Sequence, residues 1–130
     1  MEIPAGLKYT RTDEWIKVDG TTATIGITDY AQSQLSDVVF VEITVNPGDA
    51  VKKNSLCASI ESVKAAAEVT FPADGKVLET NADLPGSPEV VNSDPYTRAW
   101  MVRITLDTAT LPTDLMDSAA YQAYCQEREH

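Results

Sequence analysis

Hydrophobic and polar residues alternate with a period of two along much of this chain, the mark of half-buried strands. Thr22 to Ile27 places Ala23, Ile25 and Ile27 on one face. Val38 to Val45 is β-branched and aromatic, and predicts a strand with Val39, Val41, Ile43 and Val45 on one side. Leu56 to Glu61 sets Leu56, Ala58 and Ile60 against Cys57, Ser59 and Glu61. The alternation resumes after Lys64, with Ala67, Val69 and Phe71 inward and Glu68 and Thr70 outward. Two such runs around a few small or polar residues predict a hairpin over about residues 56–71. A strand through Val77 and Leu78 follows, and a last one from Trp100 to Leu106 puts Trp100, Val102, Ile104 and Leu106 on one face.

Turn residues punctuate these runs. Asn46-Pro47-Gly48-Asp49 and Pro72-Ala73-Asp74-Gly75 read as tight turns, and Asp83 to Asp94 reads mainly as loop. Thr28-Asp29 caps a short helical turn through Ala31 to Leu35. The period then changes near the C-terminus. Met116, Ala120, Ala123 and Tyr124 follow helical spacing, which predicts a helix over about 114–128 capped by Asp117 or Ser118. Short strands, frequent turns and a closing helix predict one mainly β domain over residues 1–130, a small sandwich or barrel. The hairpin at mid-chain suggests a rough two-fold arrangement of strands, although the two halves share no sequence match.

Composition narrows the function classes. Twenty acidic side chains against ten basic ones give a formal net charge of −10. Such a field repels phosphate backbones and suits partners with basic docking surfaces. No apolar run approaches membrane-spanning length, and Met1-Glu2-Ile3-Pro4 has neither the basic nor the apolar region of a signal peptide. Cys57 and Cys125 suggest no disulfide scaffold and fit a reducing compartment; neither has a basic neighbour that would mark a reactive thiolate. The only histidine is His130, which leaves little room for His-based triads or metal sites. No loop has the oxygen-ligand spacing of a calcium site. Asp29, Asp37, Asp49, Asp74 and Asp94 stand beside turns, where aspartate bonds to backbone, and Trp15 and Trp100 read as core residues.

Lys64 is the candidate for chemistry. Lys8, Lys17, Lys52, Lys53 and Lys76 read as solvated charges or turn residues. Lys64 stands at the tip of the predicted hairpin, beside Ala65, Ala66 and Ala67, which let a modifying enzyme approach the backbone. Glu61, three residues before it, offers a carboxylate as a recognition mark. These features describe a modification site without naming the modification.

The residues also carry a resemblance. Leu7-Lys8-Tyr9, Glu14-Trp15, Thr24-Ile25-Gly26-Ile27-Thr28-Asp29-Tyr30-Ala31-Gln32 and Asp37-Val38-Val39-Phe40-Val41-Glu42 stand in order along the chain. Val51-Lys52-Lys53, Glu61-Ser62-Val63-Lys64-Ala65-Ala66, Val91-Asn92, Asp94-Pro95-Tyr96 and Trp100 follow. The series resembles the H proteins of the glycine cleavage system, nearly end to end. Three positions depart from the family pattern. Asp13 stands where His is usual before Glu-Trp, Asn54 where the turn usually has Gly, and Ala99 where Gly often precedes the Trp.

The resemblance implies a barrel-sandwich hybrid of the lipoyl-domain type, with lipoic acid in amide linkage on Lys64. Glu61, Ser62, Val63, Ala65 and Ala66 would then be the recognition context. It implies a carrier without catalytic residues of its own. The expected partners are a pyridoxal-phosphate glycine decarboxylase, a tetrahydrofolate-dependent aminomethyltransferase, dihydrolipoyl dehydrogenase and a lipoate-attaching enzyme. A protonated amine on the loaded arm would favour carboxylates, and Glu14 and Glu68 are the candidates for an arm pocket. The expected compartment is the bacterial cytoplasm, with a mature mitochondrial chain as the alternative. A lipoyl relay to other enzymes and an unmodified acidic interaction module are the competing readings. A biotin carrier fits less well, because Val63 and Ala65 flank the lysine where that class has Met.

Overall fold

The computed structural model describes residues 1–107 and 111–128; His130 lies outside them. Nine strands and three helices follow one another in the described residues. Strands β1 (Lys8–Tyr9), β2 (Glu14–Asp19) and β3 (Thr22–Ile27) lead into helix α1 (Asp29–Leu35). Strands β4 (Val38–Ile43), β5 (Ala50–Val51), β6 (Leu56–Ser62), β7 (Ala66–Thr70) and β8 (Gly75–Thr80) come next. Helix α2 (Val90–Ser93), strand β9 (Val102–Leu106) and helix α3 (Ser118–Arg128) complete the order.

The strands form a six-stranded sheet, ordered β1-β2-β3-β9-β8-β5, and a three-stranded sheet, β4-β6-β7. Both sheets send side chains into one core. Ile25, Val77 and Ile104 come from the first, and Val41, Ile60 and Val69 from the second. This is the expected mainly β sandwich with short helices and a C-terminal helix.

Local chemistry explains most boundaries. Gly20 adopts φ 64 in the β2–β3 turn, a backbone region that side chains disfavour. Asn54 takes φ 73 in the Lys52-Lys53-Asn54 turn, so asparagine does serve there in place of glycine. The Thr28 hydroxyl accepts the Ala31 N–H at 3.1 Å and caps α1. Asp117 caps α3 through the Ala120 N–H at 2.8 Å. Asn92 pins the α1–β4 junction: its amide donates to the Ser36 carbonyl, and its oxygen accepts the Val38 N–H.

Several sequence expectations need correction. A bulge between Val38 and Phe40 moves the alternation of β4 by one residue, so Val38 is buried and Val39 is 54 % exposed. A second bulge, between Leu56 and Ala58, turns Cys57 inward instead of outward. β2 carries no alternation signal in the sequence, because Trp15 and Ile16 are both buried. β9 begins at Val102, not Trp100. Met101 is buried, while Trp100 lies half-buried with the Arg103 guanidinium 4.2 Å over its ring. α3 begins at Ser118, not near 114, and buries Tyr121 and Cys125, leaving Ala120 and Ala123 exposed. Aromatic rings bury far more area than methyl groups, so they decide which face turns inward.

Candidate functional site

Lys64 stands in the connection between β6 and β7, as the alternation predicts. The hairpin register pairs Glu61 with Ala66, Ile60 with Ala67 and Ser59 with Glu68. Ser62 fixes the tip: its N–H donates to the Ala65 carbonyl at 2.8 Å, and its hydroxyl accepts the Ala65 N–H at 3.0 Å. The Val63 N–H donates to the Asp37 carbonyl at 3.1 Å, tying the tip to the loop before β4. Val63, Lys64, Ala65 and Ala66 are all exposed, and no ion pair among the described residues includes Lys64. The backbone beneath the amine is therefore held while the side chain extends into solvent.

Glu14 and Glu68 line the same cavity, of about 170 Å³. One wall is the hairpin, through Ile60, Ala67 and Val69; the other is α1, through Ala31 and Leu35. Thr12 and Asp13 continue the wall beside Glu14. The two carboxylates differ in setting. Glu68 is exposed at the rim. Glu14 is only 1 % exposed and accepts hydrogen bonds from the Thr10 hydroxyl at 2.5 Å, the Thr12 hydroxyl at 2.6 Å and the Thr70 N–H at 3.3 Å. Burial pushes its carboxyl above the ordinary 4.5, against the lowering pull of these three donors. Glu14 also borders a smaller cavity, of about 110 Å³, beside the Lys53–Asp114 ion pair at 2.7 Å. Lys53 therefore has a defined partner, beyond the turn role read from its sequence.

The outer face of β4-β6-β7 is a shallow, open surface of about 490 Å³ with Phe40 beside Glu42, Glu61 and Glu68. Phe40 is 45 % exposed there. The acidic surplus of the chain thus reaches the surface next to Lys64.

The described residues match known proteins along their length. A sequence model of the family described as "Glycine cleavage H-protein" matches residues 7–128. The chain belongs to this family. The glycine cleavage system H protein of Anaeromyxobacter sp. (strain K) is 46 % identical over 129 residues, covering 99 % of this chain and all of that one. The mitochondrial glycine cleavage system H protein 2 of Arabidopsis thaliana is 43 % identical over 123 residues, 95 % of this chain and 78 % of that one. A crystal structure of a glycine cleavage system H protein from Mycobacterium marinum superposes with a TM-score of 0.84 at 26 % identity, covering 98 % of this chain and all of that one.

Within this H-protein fold, sequence reasoning missed the groups that hold Glu14. Thr10 and Thr12 reach Glu14 because the chain turns back over residues 10–14, which no periodicity marks. The Thr70 N–H arrives from 56 residues away and left no signal either. The environment of Asp13 was equally hidden. Its carboxylate accepts bonds from the Tyr121 hydroxyl at 2.8 Å and the Arg128 guanidinium at 2.6 Å. Trp15, expected in the core, is buried there and donates its indole N–H to the Pro95 carbonyl at 3.0 Å.

Proposed function

We propose that this chain is the lipoyl-bearing carrier of glycine cleavage, with lipoic acid joined to Lys64 as an amide. The observation that carries the reading is a solvent-exposed lysine on a rigid hairpin tip, in the motif Glu61-Ser62-Val63-Lys64-Ala65-Ala66 of an H-protein family member. The residues present fit the group. The amine is exposed, its neighbours Ala65 and Ala66 are small, and an apolar-walled cavity with two carboxylates lies along the same hairpin. Glu61, Ser62 and Val63 complete the context that a lipoate-attaching enzyme would read.

Lipoic acid held on Lys64 would supply the disulfide–dithiol chemistry that takes up the aminomethyl cargo. The protein presents and shelters the arm. Ala31, Leu35, Ile60 and Val69 offer apolar contact to its hydrocarbon chain, and Glu14 and Glu68 face the protonated amine of the cargo. Glycine decarboxylase would load such a carrier, the tetrahydrofolate-dependent aminomethyltransferase would unload it, and dihydrolipoyl dehydrogenase would reoxidise it. Tethering raises the local concentration of the reactive sulfur at each partner in turn. Such a cycle belongs in a reducing compartment, the cytoplasm of a bacterium.

The test is to load the arm with purified decarboxylase and glycine, then time hydrolysis of the aminomethyl group. Losing a hydrogen bond to a charged group costs about 1.5–3 kcal/mol. The loaded state of Glu14→Ala is therefore expected to decay about tenfold faster, with a smaller effect in Glu68→Ala at the solvated rim. Unchanged lifetimes in both variants would remove the pocket. Failure of glycine and decarboxylase to load a lipoylated protein would favour the relay reading.

A further inference from the structure

Asp13 takes a left-handed backbone, φ 74, at the end of the turn that delivers Glu14. Three backbone bonds shape this turn: Asp13 N–H to the Thr10 carbonyl, Thr10 N–H to the Glu14 carbonyl, and Thr28 N–H to the Asp13 carbonyl. The Asp13 side chain points to α3. Arg128 grips it with both terminal nitrogens, Nη2 to Oδ1 at 2.6 Å and Nη1 to Oδ2 at 3.1 Å. The same guanidinium lies over two rings, 4.2 Å from the centroid of Tyr30 and 4.1 Å from that of Tyr124. Tyr121, about two turns earlier on the same face of α3, donates to Asp13 and meets the Thr28 hydroxyl at 2.7 Å.

The arrangement spans the groove. Asp13 belongs to the wall that holds Glu14, whereas Tyr30 and Thr28 belong to α1, whose Ala31 and Leu35 form the opposite wall. One side chain on the last turn of α3 touches both, bonded to Asp13 and packed over the Tyr30 ring. We infer that Arg128 is a positioning residue: through Asp13 and Tyr30 it sets the separation of the two walls and holds Glu14 against β7. A planar guanidinium suits this task, because it packs on aromatic rings while its terminal nitrogens bond a carboxylate. The pairing also neutralises the Asp13 carboxylate, which would otherwise stand unpaired beside Glu14 in the groove wall. The Asp13 departure from the family pattern gains a purpose here, since a carboxylate is what the guanidinium fork requires.

This inference rests on the arm-pocket reading for its function but not for its geometry, and the experiment separates the two. Amide hydrogen exchange is measured on the unmodified full chain for Arg128→Met, which keeps an unbranched apolar stem without the guanidinium, and for Asp13→Asn, which keeps the shape and the tolerance of a left-handed backbone. Exchange at Asp13, Thr28 and Thr70 is expected to quicken about tenfold, with the Val77–Ile104 pairing of the β8–β9 ladder unchanged. In the loaded protein, Arg128→Met is expected to shorten the aminomethyl lifetime about tenfold, and adding Glu14→Ala to shorten it no further. Arg128→Lys, with the charge but without the fork, is expected to fall between wild type and Arg128→Met. Unchanged exchange at Thr28 and Thr70 would overturn the positioning role. Where Glu14→Ala does shorten the lifetime, an unchanged lifetime in Arg128→Met despite quickened exchange would reduce the contact to helix anchoring and also overturn the positioning role. If Glu14→Ala alone leaves the lifetime unchanged, the arm-pocket reading fails, and exchange still decides the geometry.

Discussion

Glu14 carries a carboxylate into a setting where only three hydrogen-bond donors replace water. Its raised pKa fixes a sign. A carboxyl with a higher pKa in the folded than in the unfolded chain favours folding while protonated. That stability is fully present below the ordinary 4.5 and is lost as pH rises through the folded value. Glu14→Gln has no such loss. Its stability relative to wild type is expected to improve as pH rises above the ordinary 4.5 and to level off once the folded value is passed, read from urea midpoints at each pH. A difference that stays flat with pH would mean that Glu14 is not held in a desolvating site. Stability and function pull apart here, since the carboxylate that disfavours folding is the one proposed to meet the amine. At this scale Lys64 was legible because alternation on both sides leaves it at the tip. Arg128 was not, because its two rings and its carboxylate come from three separate elements.

Element boundaries followed local signals where these exist and failed where two faces are buried at once. Caps and turns were readable: Thr28, Asp117 and Asn54 act through neighbours a few residues away. The bulges at Val38 and Cys57 were not, since strict alternation is what the eye follows and a bulge breaks it. Close approach of strands makes two glycines specific. Gly26 lies opposite Trp15, and an added Cβ would stand 2.7 Å from the indole ring. At Gly75 the Cβ would collide with the Thr105 carbonyl, which the β8–β9 ladder holds in place. Overpacking of this kind costs typically about 1–3 kcal/mol. Gly26→Ala and Gly75→Ala are both expected to lower the denaturant midpoint, with Gly75→Ala the worse because backbone yields less than a ring. Wild-type midpoints for either variant would contradict the reported strand spacing.

The whole molecule combines a rigid sandwich with a strongly acidic surface. Strand order in the larger sheet, with β9 inserted between β3 and β8, depends on contacts between distant segments and has no local sequence sign. The fold class was legible all the same, because period-two runs and frequent turns allow few other architectures. The net charge of −10 acts at the same scale. If the proposed partners present basic docking surfaces, this field steers the carrier to them, and screening weakens the steering. The Debye length shrinks from roughly 30 Å at 0.01 M salt to about 10 Å at 0.1 M. Association with the decarboxylase, followed by stopped flow, is expected to slow severalfold over that range, while the dissociation rate changes less. A salt-independent association rate would show that the acidic face does not guide docking.

The central claim is the covalent attachment at one side chain, and intact mass of the protein expressed with lipoate tests it most directly. Wild type is expected to carry one lipoyl increment, located by fragmentation to the peptide containing Lys64. Lys64→Arg is expected to carry none, with its fold unchanged because the side chain is exposed. An unmodified wild-type protein, a biotin increment, or a lipoyl group that persists in Lys64→Arg would contradict the account.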